Sequence, residues 1–284
     1  FNLKKKLFIN TMIKIKFFSN FCNSDCWKIF LRLNELETDP DYNNKYTFTE
    51  SEDYTHAIIL NTAMPNLSIP KENVIGLAFE PRQFLNLTNS FISYATNNIS
   101  YYLLSDNSDL PPNFIEHFSY MWHTPYKKSF NLSKNTLMSI MVSYKNNAPG
   151  HKYRHILVQN ILKSNLPIDI YGNGCKYYNN INDPRIKGEF NDTSLFDNYK
   201  FHICIENFQT PHYFSEKIMD PLICNSIPIY LGCNNINHYF PNMITNLSGN
   251  LNDDLKLLTD ICNNPDNYIK SLDINKIKDT LNLK

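Results

Sequence analysis

The sequence has little glycine and no excess of either charge. Seven Gly in 284 residues exclude collagen-like and glycine-rich fibrous proteins. The 27 Lys and Arg residues balance the 27 Asp and Glu residues, so the formal net charge is +0. A general nucleic-acid binder is therefore not expected, because binding to the phosphate backbone usually requires a basic excess. With 42% hydrophobic residues the chain can bury a core, and its length suits about two domains.

Long apolar runs are missing as well. A membrane-spanning helix needs about 20 consecutive apolar residues, and the best candidate, residues 7–18, contains two lysines and two uncharged polar residues. We therefore expect no transmembrane segment, anchor or signal peptide, and a soluble, cytoplasmic protein. Residues 1–11 precede the first regular pattern, which starts at Met12, and are interpreted as an extension outside the folded domain.

Short apolar or β-branched runs, bounded by turn-forming residues, predict an α/β organisation for the first half of the chain. Residues 12–19 alternate as a strand does, and residues 25–33 have helical spacing. The predicted strands that follow are residues 56–60, 73–79 and 100–104, before an irregular stretch at 110–118. This strand-to-helix opening is typical of α/β domains.

A polar, turn-rich linker at residues 127–135 separates this half from a second αβ series. Its predicted strands are residues 136–143, 168–171, 201–205 and 227–230, and its predicted helices are residues 152–163, 194–199 and 215–224. Alternation of strands and helices predicts a parallel sheet covered on both faces, with ligands at the carboxyl ends of the strands.

The C-terminal residues 252–284 predict one or two amphipathic helices. The residues that share the apolar face are Leu255, Leu258 and Ile261. We thus predict two domains, residues 12–128 and 129–284, which face one another across a cleft. Such an arrangement favours a two-substrate enzyme.

The densest run of residues of functional type lies at positions 201–232. A strand there ends at Glu206 and Asn207, and Ser215 is well placed to cap the next helix, with Lys217 in its first turn. The N–H groups at a helix N-terminus, together with a lysine, suit a pyrophosphate. The alternative is an ordinary capped helix with a solvated Glu–Lys pair.

This stretch resembles the signature of the α-1,3/4-fucosyltransferases, glycosyltransferase family 10. The family motif runs Phe-Glu-Asn, then Tyr-Val-Thr-Glu-Lys, then a Pro-aliphatic-aromatic-X-Gly strand. The corresponding residues are Ile205-Glu206-Asn207, Tyr213-Phe214-Ser215-Glu216-Lys217 and Pro228-Ile229-Tyr230-Leu231-Gly232. The departures are Ile205 for Phe, Phe214-Ser215 for Val-Thr, and Asn225 for a common Gly. All of them are conservative for packing and leave the polar atoms in place.

The resemblance extends upstream, where family members carry a strand ending in Ser, an Arg opening a helix and a strand ending in an aromatic–Gly pair. Ser143, Arg154 and residues 169–172 match this order. The family implies that Arg154 and Lys217 clamp the donor's pyrophosphate, and that the motif's Glu, Asn and Tyr contact ribose, base or sugar. The implied donor-binding residues are Arg154, Glu206, Asn207, Tyr213, Glu216 and Lys217. The alternative for Arg154 is a solvated helix face.

The family also places its general base in a Glu-Ser-Pro setting, which points to Glu80 in the first half. Here Pro81 follows Glu80 directly, without the Ser, and would fix the turn that aims the carboxylate into the cleft. With a pKa raised by partial burial, Glu80 would take the proton from an acceptor hydroxyl that attacks in line, with inversion. The alternative is a strand-end carboxylate paired with Arg82 or Lys71.

Neither a metal nor a cofactor is predicted. Seven scattered Cys, an odd number, indicate reduced thiols. Cys22 and Cys26 have a metal-like separation, but no second pair with zinc-site spacing follows. The Asp-X-Asp triplet at residues 39–41, of a kind that holds Mg²⁺ or Mn²⁺ in metal-dependent transferases, lies far from the donor motif. Gly172 and Gly174 are half a dinucleotide fingerprint at most, which disfavours hydride chemistry.

The resemblance therefore implies a GT-B fold of two facing Rossmann-like domains, with the acceptor glycan on residues 12–128 and GDP-fucose on residues 129–284. The implied activity is inverting, metal-independent α-1,3-fucosyl transfer to a hydroxyl of that glycan. One alternative is another nucleotide sugar as donor, because pyrophosphate contacts identify neither base nor sugar. The other is a catalytically degenerate relative that binds glycans or nucleotides without turnover.

Overall fold

The computed structural model describes residues 12–20, 46–118, 133–191 and 193–281. Within these residues, twelve β-strands form two six-stranded sheets, and the pairings between them are parallel. The first sheet contains β1 to β6, at Ile13–Ser19, Tyr46–Phe48, His56–Leu60, Val74–Leu77, Tyr101–Leu104 and Phe114–Glu116. The α-helices described in this half are α1, Arg82–Leu85, and α2, Asn89–Asn98.

The second sheet contains β7 to β12, at Thr136–Met141, Ile168–Tyr171, Ile186–Gly188, Tyr199–Ile205, Ile227–Leu231 and Thr245–Asn246. The helices of this half are α3 to α8, at Pro149–Leu162, Ser194–Asp197, Glu216–Ile223, Ile236–Tyr239, Leu251–Asn263 and Ile274–Leu281. Strand β11 is buried along its whole length. Burial on both faces explains the continuous apolar sequence of this strand.

Strand order locates the ligand-binding edge of each sheet. The second sheet runs β12-β11-β10-β7-β8-β9. Strands β8 and β9 thus lie on one side of β7 and strands β10 to β12 on the other, so the strand order reverses between β10 and β7. The first sheet runs β2-β1-β3-β4-β5-β6 and reverses between β1 and β3. Open parallel sheets bind ligands in the crevice outside the carboxyl ends of the strands at such a reversal. The loops after these four strands are therefore the expected walls of a site.

One hydrophobic core joins the two sheets. Leu60 of β3 and Leu77 of β4 belong to the same buried cluster as Phe214 and helix α5. Phe118 stacks on Phe214, with ring centroids 5.1 Å apart and ring planes inclined by 11°. Ile277 of α8 is also fully buried in this cluster. The two halves of the chain thus share buried apolar surface next to the predicted cleft.

Most predicted elements are present, and the differences have physical reasons. Helix α3 begins at Pro149 rather than at residue 152, because proline is favoured in the first turn of a helix. Helix α4 ends at Asp197, and Tyr199, predicted to be helical, begins β10 instead. The stretch 110–118, predicted to be irregular, contains β6. Strands β2, β9 and β12 escape sequence prediction because runs of two or three residues carry no periodicity.

Several sequence predictions lie outside the described residues: the extension 1–11, the Cys22 and Cys26 pair, the helix 25–33, the triplet 39–41 and most of the linker 127–135. The boundary between residues 128 and 129 also falls there and stays a prediction. Helix α7 buries Leu258 and Ile261 and packs Leu255 against the same core, as predicted. In the described part of the chain, no helix combines the length and apolar character that a membrane crossing requires.

Candidate functional site

A cleft of about 770 Å³ opens between the carboxyl edges of the two sheets. Its lining residues are Asn20, Asn61, Thr62, Glu80, Phe84, Leu85 and Asn86 from the first half, and Tyr144, Lys145, Asn146, Asn147, His151 and Asn207 from the second. The reversals in strand order predict this position. Phe84 meets Phe208 edge to face, with ring centroids 4.9 Å apart, and so joins the two halves beside the cleft.

A buried carboxylate holds the N-terminus of α5. Ser215 caps this helix, with its hydroxyl accepting from the backbone N–H of Lys217. The Glu206 side chain has no solvent exposure, and its two oxygens accept from the Ser215 backbone N–H at 2.8 Å and from the Ser215 hydroxyl at 2.7 Å. Glu206 therefore fixes the loop that begins the helix, and both of its oxygens are engaged inside the protein.

The ammonium group of Lys217 lies inside this network. Its Nζ donates to Ser215 Oγ and to Glu216 Oε1, each at 2.9 Å, and lies 3.4 Å from Glu206 Oε2. Only 12% of the Lys217 side chain and 18% of the Glu216 side chain are exposed. Burial opposes the charge on Lys217, but Glu216 and Glu206 outweigh burial and raise the pKa of the amine. Lys217 is thus a fixed cation, and the alternative of a solvated Glu–Lys pair is wrong.

Arg154 is a second buried cation. It lies in the second turn of α3, is 3% exposed and donates from Nη2 to Asn207 Oδ1 at 3.2 Å. The alternative of a solvated helix face is therefore wrong. The Nε of Arg154 is buried and lacks a hydrogen-bond partner among the described residues. Because an unsatisfied buried donor is costly, this N–H indicates a place for an anionic acceptor.

A close backbone approach brings the two cations to one place. At the start of α3, the Gly150 N–H donates to Asn207 O at 3.0 Å. A Cβ atom on Gly150 would lie 1.7 Å from Glu206 O, so any larger residue would force the helix and the strand end apart. Glu206 lies against Lys217, and Asn207 is hydrogen-bonded to Arg154. Two adjacent residues at the end of β10 thus hold one cation each.

Burial sets the protonation of the remaining groups in this network. Burial raises the pKa of Glu206, and Lys217 opposes that shift. Burial also raises the pKa of the Tyr213 phenol, which is 2% exposed, and the negative charges of Glu206 and Glu216 add to the effect. Tyr213 is therefore a neutral hydroxyl. Burial lowers the pKa of Arg154 against the effect of the same two carboxylates, but a guanidinium remains charged.

Glu80 lies on the opposite wall, just beyond β4. The Asn61 side chain holds the backbone next to Glu80, because the Phe79 N–H donates to Asn61 Oδ1 at 2.9 Å. No hydrogen bond or ion pair joins the Glu80 carboxylate to another described residue. Burial raises the pKa of Glu80, while Lys217, across the cleft, opposes the shift. The carboxylate is thus partly desolvated without a direct partner within the described ranges.

The residues considered as alternative partners of Glu80 are engaged elsewhere. Arg82 Nη1 donates to Ser108 O at 2.6 Å, and Lys71 Nζ donates to Thr96 O at 2.6 Å. The pairing of Glu80 with Arg82 or Lys71 is therefore wrong. Its role as a base stays a prediction.

Of the thirteen residues that line the cleft, the sequence predicts Glu80 and Asn207 as site residues. The other eleven, which include His151, Tyr144 and Lys145, are absent from that prediction. His151 fits no metal-ligand spacing, yet it precedes Arg154 by three residues on the same helix, which places both on one face. Tyr144 and Lys145 follow β7, the strand at the reversal in the sheet. Position relative to the strand ends, rather than a motif, is the signal that could have found them.

In the ranges that the structure describes, no group of three or more His, Cys, Asp or Glu side chains could hold a metal ion. Arg154 and Lys217 place positive charge beside the cleft, and Lys145 lines it. The absence of a resident metal or cofactor stays a prediction.

Comparison with known proteins agrees with the motif. Residues 131–245 match the family model described as glycosyltransferase family 10 (fucosyltransferase), C-terminal part. This segment is therefore similar to glycosyltransferase family 10, over about 40% of the chain. The resemblance inferred from the sequence is thereby confirmed for the part of the chain that holds Arg154 and Lys217, whereas Glu80 lies outside the matched segment.

The chain also has curated relatives. The chain is similar to α-(1,3)-fucosyltransferase B of Drosophila melanogaster, with 36% identity over 92 residues, which are 28% of this chain and 19% of that protein. The chain spans only 14% to 24% of the length of the curated relatives that it matches.

Solved structures of an α1,3-fucosyltransferase share the fold of this chain over most of its length. The structure determined with GDP gives a TM-score of 0.54 at 18% identity, and the structure determined with GDP-fucose gives 0.52 at 17% identity. Each match covers 95% of this chain and 81% of that chain. The predicted GT-B fold of two facing Rossmann-like sheets is confirmed.

Proposed function

We propose that this protein is an inverting glycosyltransferase that moves L-fucose from GDP-fucose to a hydroxyl of an acceptor glycan, in an α-1,3 linkage. One observation carries the proposal: two buried cations lie close behind the wall of the cleft that Glu80 lines. Arg154 is hydrogen-bonded to Asn207, which lines this cleft, and Lys217 is near enough to Glu80 to oppose the rise in its pKa. The family description and the name of the fly relative support fucose as the sugar. The similar structure with GDP-fucose supports the donor.

The second-half wall is the proposed donor site. Lys217 and the unsatisfied Nε of Arg154 bind the diphosphate of GDP-fucose, supported by Glu206 and Asn207. Glu216 and Tyr213 complete the predicted donor-binding set. When the bond between the sugar and the phosphate oxygen breaks, negative charge accumulates on the departing diphosphate. Cations already fixed in place stabilise that charge without reorganisation, which lowers the barrier.

Glu80 is the proposed base. A raised pKa makes a carboxylate a stronger base, and therefore a more effective acceptor of the proton from the hydroxyl. The acceptor hydroxyl gives its proton to Glu80 while its oxygen forms a bond to the anomeric carbon of fucose. The bond from that carbon to the phosphate oxygen breaks on the opposite face, and its electron pair leaves with GDP. Attack opposite the leaving group inverts the anomeric configuration.

We propose that the reaction needs no resident cofactor. The cations Arg154, Lys217 and Lys145 supply the positive charge that Mg²⁺ or Mn²⁺ supplies in metal-dependent transferases. Transfer is then expected to continue at its full rate in excess EDTA. Loss of activity in EDTA that returns with Mn²⁺ would overturn this part of the proposal.

Calorimetry with GDP-fucose, GDP-mannose and UDP-glucose tests the donor. We expect GDP-fucose alone to bind. Its binding should be at least about 10-fold weaker in Lys217→Ala and unchanged in Lys256→Ala, a matched change at an exposed lysine of α7. Tight binding of another of these nucleotide sugars would overturn the fucosyl assignment. No binding of any donor would favour the degenerate relative instead.

A panel of acceptor glycans then tests the reaction. We expect transfer of fucose to a sugar hydroxyl, and NMR of the isolated product to identify an α-1,3 bond. A product with another linkage would overturn the regiochemistry alone. Donor binding without transfer to any acceptor would count against a catalytic role.

A further inference from the structure

His151 is a buried histidine on the cleft wall for which the proposed mechanism has no role. It lies in the first turn of α3, is 4% exposed and lines the same cleft as Glu80 and Asn207. Arg154 follows three residues later, so the two side chains occupy one face of the helix. His151 is therefore a close neighbour of the group proposed to bind the donor's diphosphate.

One hydrogen bond fixes the tautomer of His151. Its Nδ1 lies 2.9 Å from Oδ1 of Asn147. Because an amide oxygen can only accept, Nδ1 carries the proton, and Nε2 of the neutral ring is a bare lone pair. A lone pair cannot donate a hydrogen bond to a phosphate oxygen. Nε2 becomes a donor only when the ring takes up a second proton.

The surrounding charges keep the ring neutral as long as no anion is bound. Burial, followed by the positive charges of Arg154, Lys145 and Lys217, lowers the pKa of His151 to about 4, while a side-chain hydrogen bond with Asn207 opposes the shift. These cations come from three places: α3 itself, the loop after β7, and the first turn of α5. Glu80 is the acidic residue that lines the cleft with His151. A diphosphate placed among the cations cancels their repulsion of an imidazolium, which favours protonation.

We propose that His151 is a third diphosphate-binding side chain, which takes up a proton when the nucleotide sugar binds and then donates a hydrogen bond from Nε2 to a phosphate oxygen. The inference rests on the proposed function, because it needs a diphosphate at Arg154 and Lys217. The proton comes from solvent and stays on the ring, so no covalent bond of the ligand changes in this step. The added positive charge faces the diphosphate during the step in which that group departs.

Calorimetry of GDP-fucose binding at about pH 6 tests the inference, because an unperturbed histidine titrates near this pH. The measurement is repeated in buffers that differ in ionisation enthalpy, and the buffer dependence gives the number of protons taken up. Both phosphates of GDP-fucose are esterified, so the ligand does not titrate in this range. We expect net proton uptake by the wild-type chain and none from this source in His151→Gln. His238→Gln is the matched control, since His238 is exposed and lies outside the cleft lining.

The variant should also bind GDP-fucose about 10-fold more weakly at pH 6, with a smaller loss at pH 8, since a charge-assisted hydrogen bond is lost. Equal proton uptake by wild type and His151→Gln would overturn the inference. Binding of GDP-fucose to the wild-type chain without proton uptake would overturn it too, while leaving the proposed function intact. If GDP-fucose does not bind at all, the proposed function itself fails.

A second measurement does not depend on the folding of a variant. The ¹⁵N chemical shifts of the imidazole nitrogens in the wild-type chain report the protonation of each histidine. We expect one buried histidine to change from neutral to protonated when GDP-fucose is added at pH 6. If every buried histidine stays neutral in the complex, His151 does not act as proposed.

Discussion

The two walls of the cleft are built in different ways. On the second-half wall, charged and polar groups hold one another, because Glu206 is buried against Ser215 and Lys217 and binds both through short contacts. On the first-half wall, Asn61 and the backbone place Glu80, but no described residue pairs with its carboxylate. The two cations of the second-half wall, Arg154 and Lys217, are fixed and charged before an anion binds. A group that accepts a proton must keep its charge available.

The difference also predicts how each wall responds to damage. Removing one partner from a buried ionic network leaves an uncompensated charge in a poor solvent, which is strongly destabilising. Lys217, with Glu216 and Glu206 around it, stands in such a network. Replacing Glu80 breaks no pairing among the described residues, so a change there should alter the chemistry and leave the fold in place.

Glu80→Gln should have the largest effect on turnover. The amide keeps the shape of the side chain but cannot accept the proton, so we expect kcat to fall by about 10² to 10⁴-fold, the usual contribution of a general base. GDP-fucose affinity, measured by calorimetry, should stay within about two-fold of wild type, because the cations remain. Transfer at the wild-type rate would show that another group is the base.

Lys217→Ala should have the next largest effect, which is on donor binding rather than on turnover. The loss of a charged hydrogen bond to the diphosphate, worth about 1.5 to 3 kcal/mol, corresponds to about 10- to 150-fold weaker binding of GDP. The melting temperature should also fall, because Glu206 loses its cation. Titration calorimetry and thermal denaturation check these two effects, with Lys256→Ala as the control. Unchanged GDP affinity in Lys217→Ala would show that Lys217 does not bind the donor.

Gly150→Ala tests whether the second wall depends on the approach of α3 to β10. The new Cβ would meet Glu206 O at 1.7 Å, so the helix must shift. Overpacking of this kind costs about 1 to 3 kcal/mol of unfolding free energy. Urea denaturation measures that cost, and GDP affinity should fall with it as Arg154 moves away from Lys217. Wild-type stability together with wild-type affinity would contradict the close approach.

The smallest expected effect links the two walls. Burial raises the pKa of Glu80, so the base form is lost at a higher pH than for an ordinary Glu. In the pH profile of kcat/KM, the midpoint of the acid limb should therefore lie above the ordinary pKa of Glu, about 4.3. Lys217 opposes this shift, so in Lys217→Ala the pKa should rise further and the limb should move to higher pH. If the midpoint of the acid limb in this variant stays at the wild-type pH or shifts to lower pH, the charge on Lys217 does not lower the pKa of Glu80.

The sequence predicts the second wall better than the first, and particular residues show why. Ser215 and Lys217 belong to one local motif in which a cap and the first turn of a helix are adjacent in the chain. The contacts that complete the wall are not local. Glu206 accepts from Ser215 nine positions away, and Gly150 touches a backbone more than fifty positions away. Neither contact leaves a periodic signal in the sequence.

The same reasoning explains the missed elements of the fold. Tyr199 follows a short helix, and only its pairing with Thr136 of β7 makes it a strand residue. Strand β6 pairs with β5 over three positions, which is too short for an alternation to be recognised. His151 has no motif, and its place on the cleft wall follows from the reversal in strand order. Long-range packing, which no local pattern encodes, decides all three.

A crystal structure of the chain with GDP-fucose tests the central claim most directly. We predict that the phosphate oxygens lie within hydrogen-bond distance of Arg154 Nε and Lys217 Nζ, and that the anomeric carbon of fucose faces the Glu80 carboxylate. The account would be contradicted if the diphosphate bound elsewhere, such as the neighbouring cavity of about 230 Å³ beside Tyr153 and Gly249. It would equally be contradicted if the sugar faced away from Glu80.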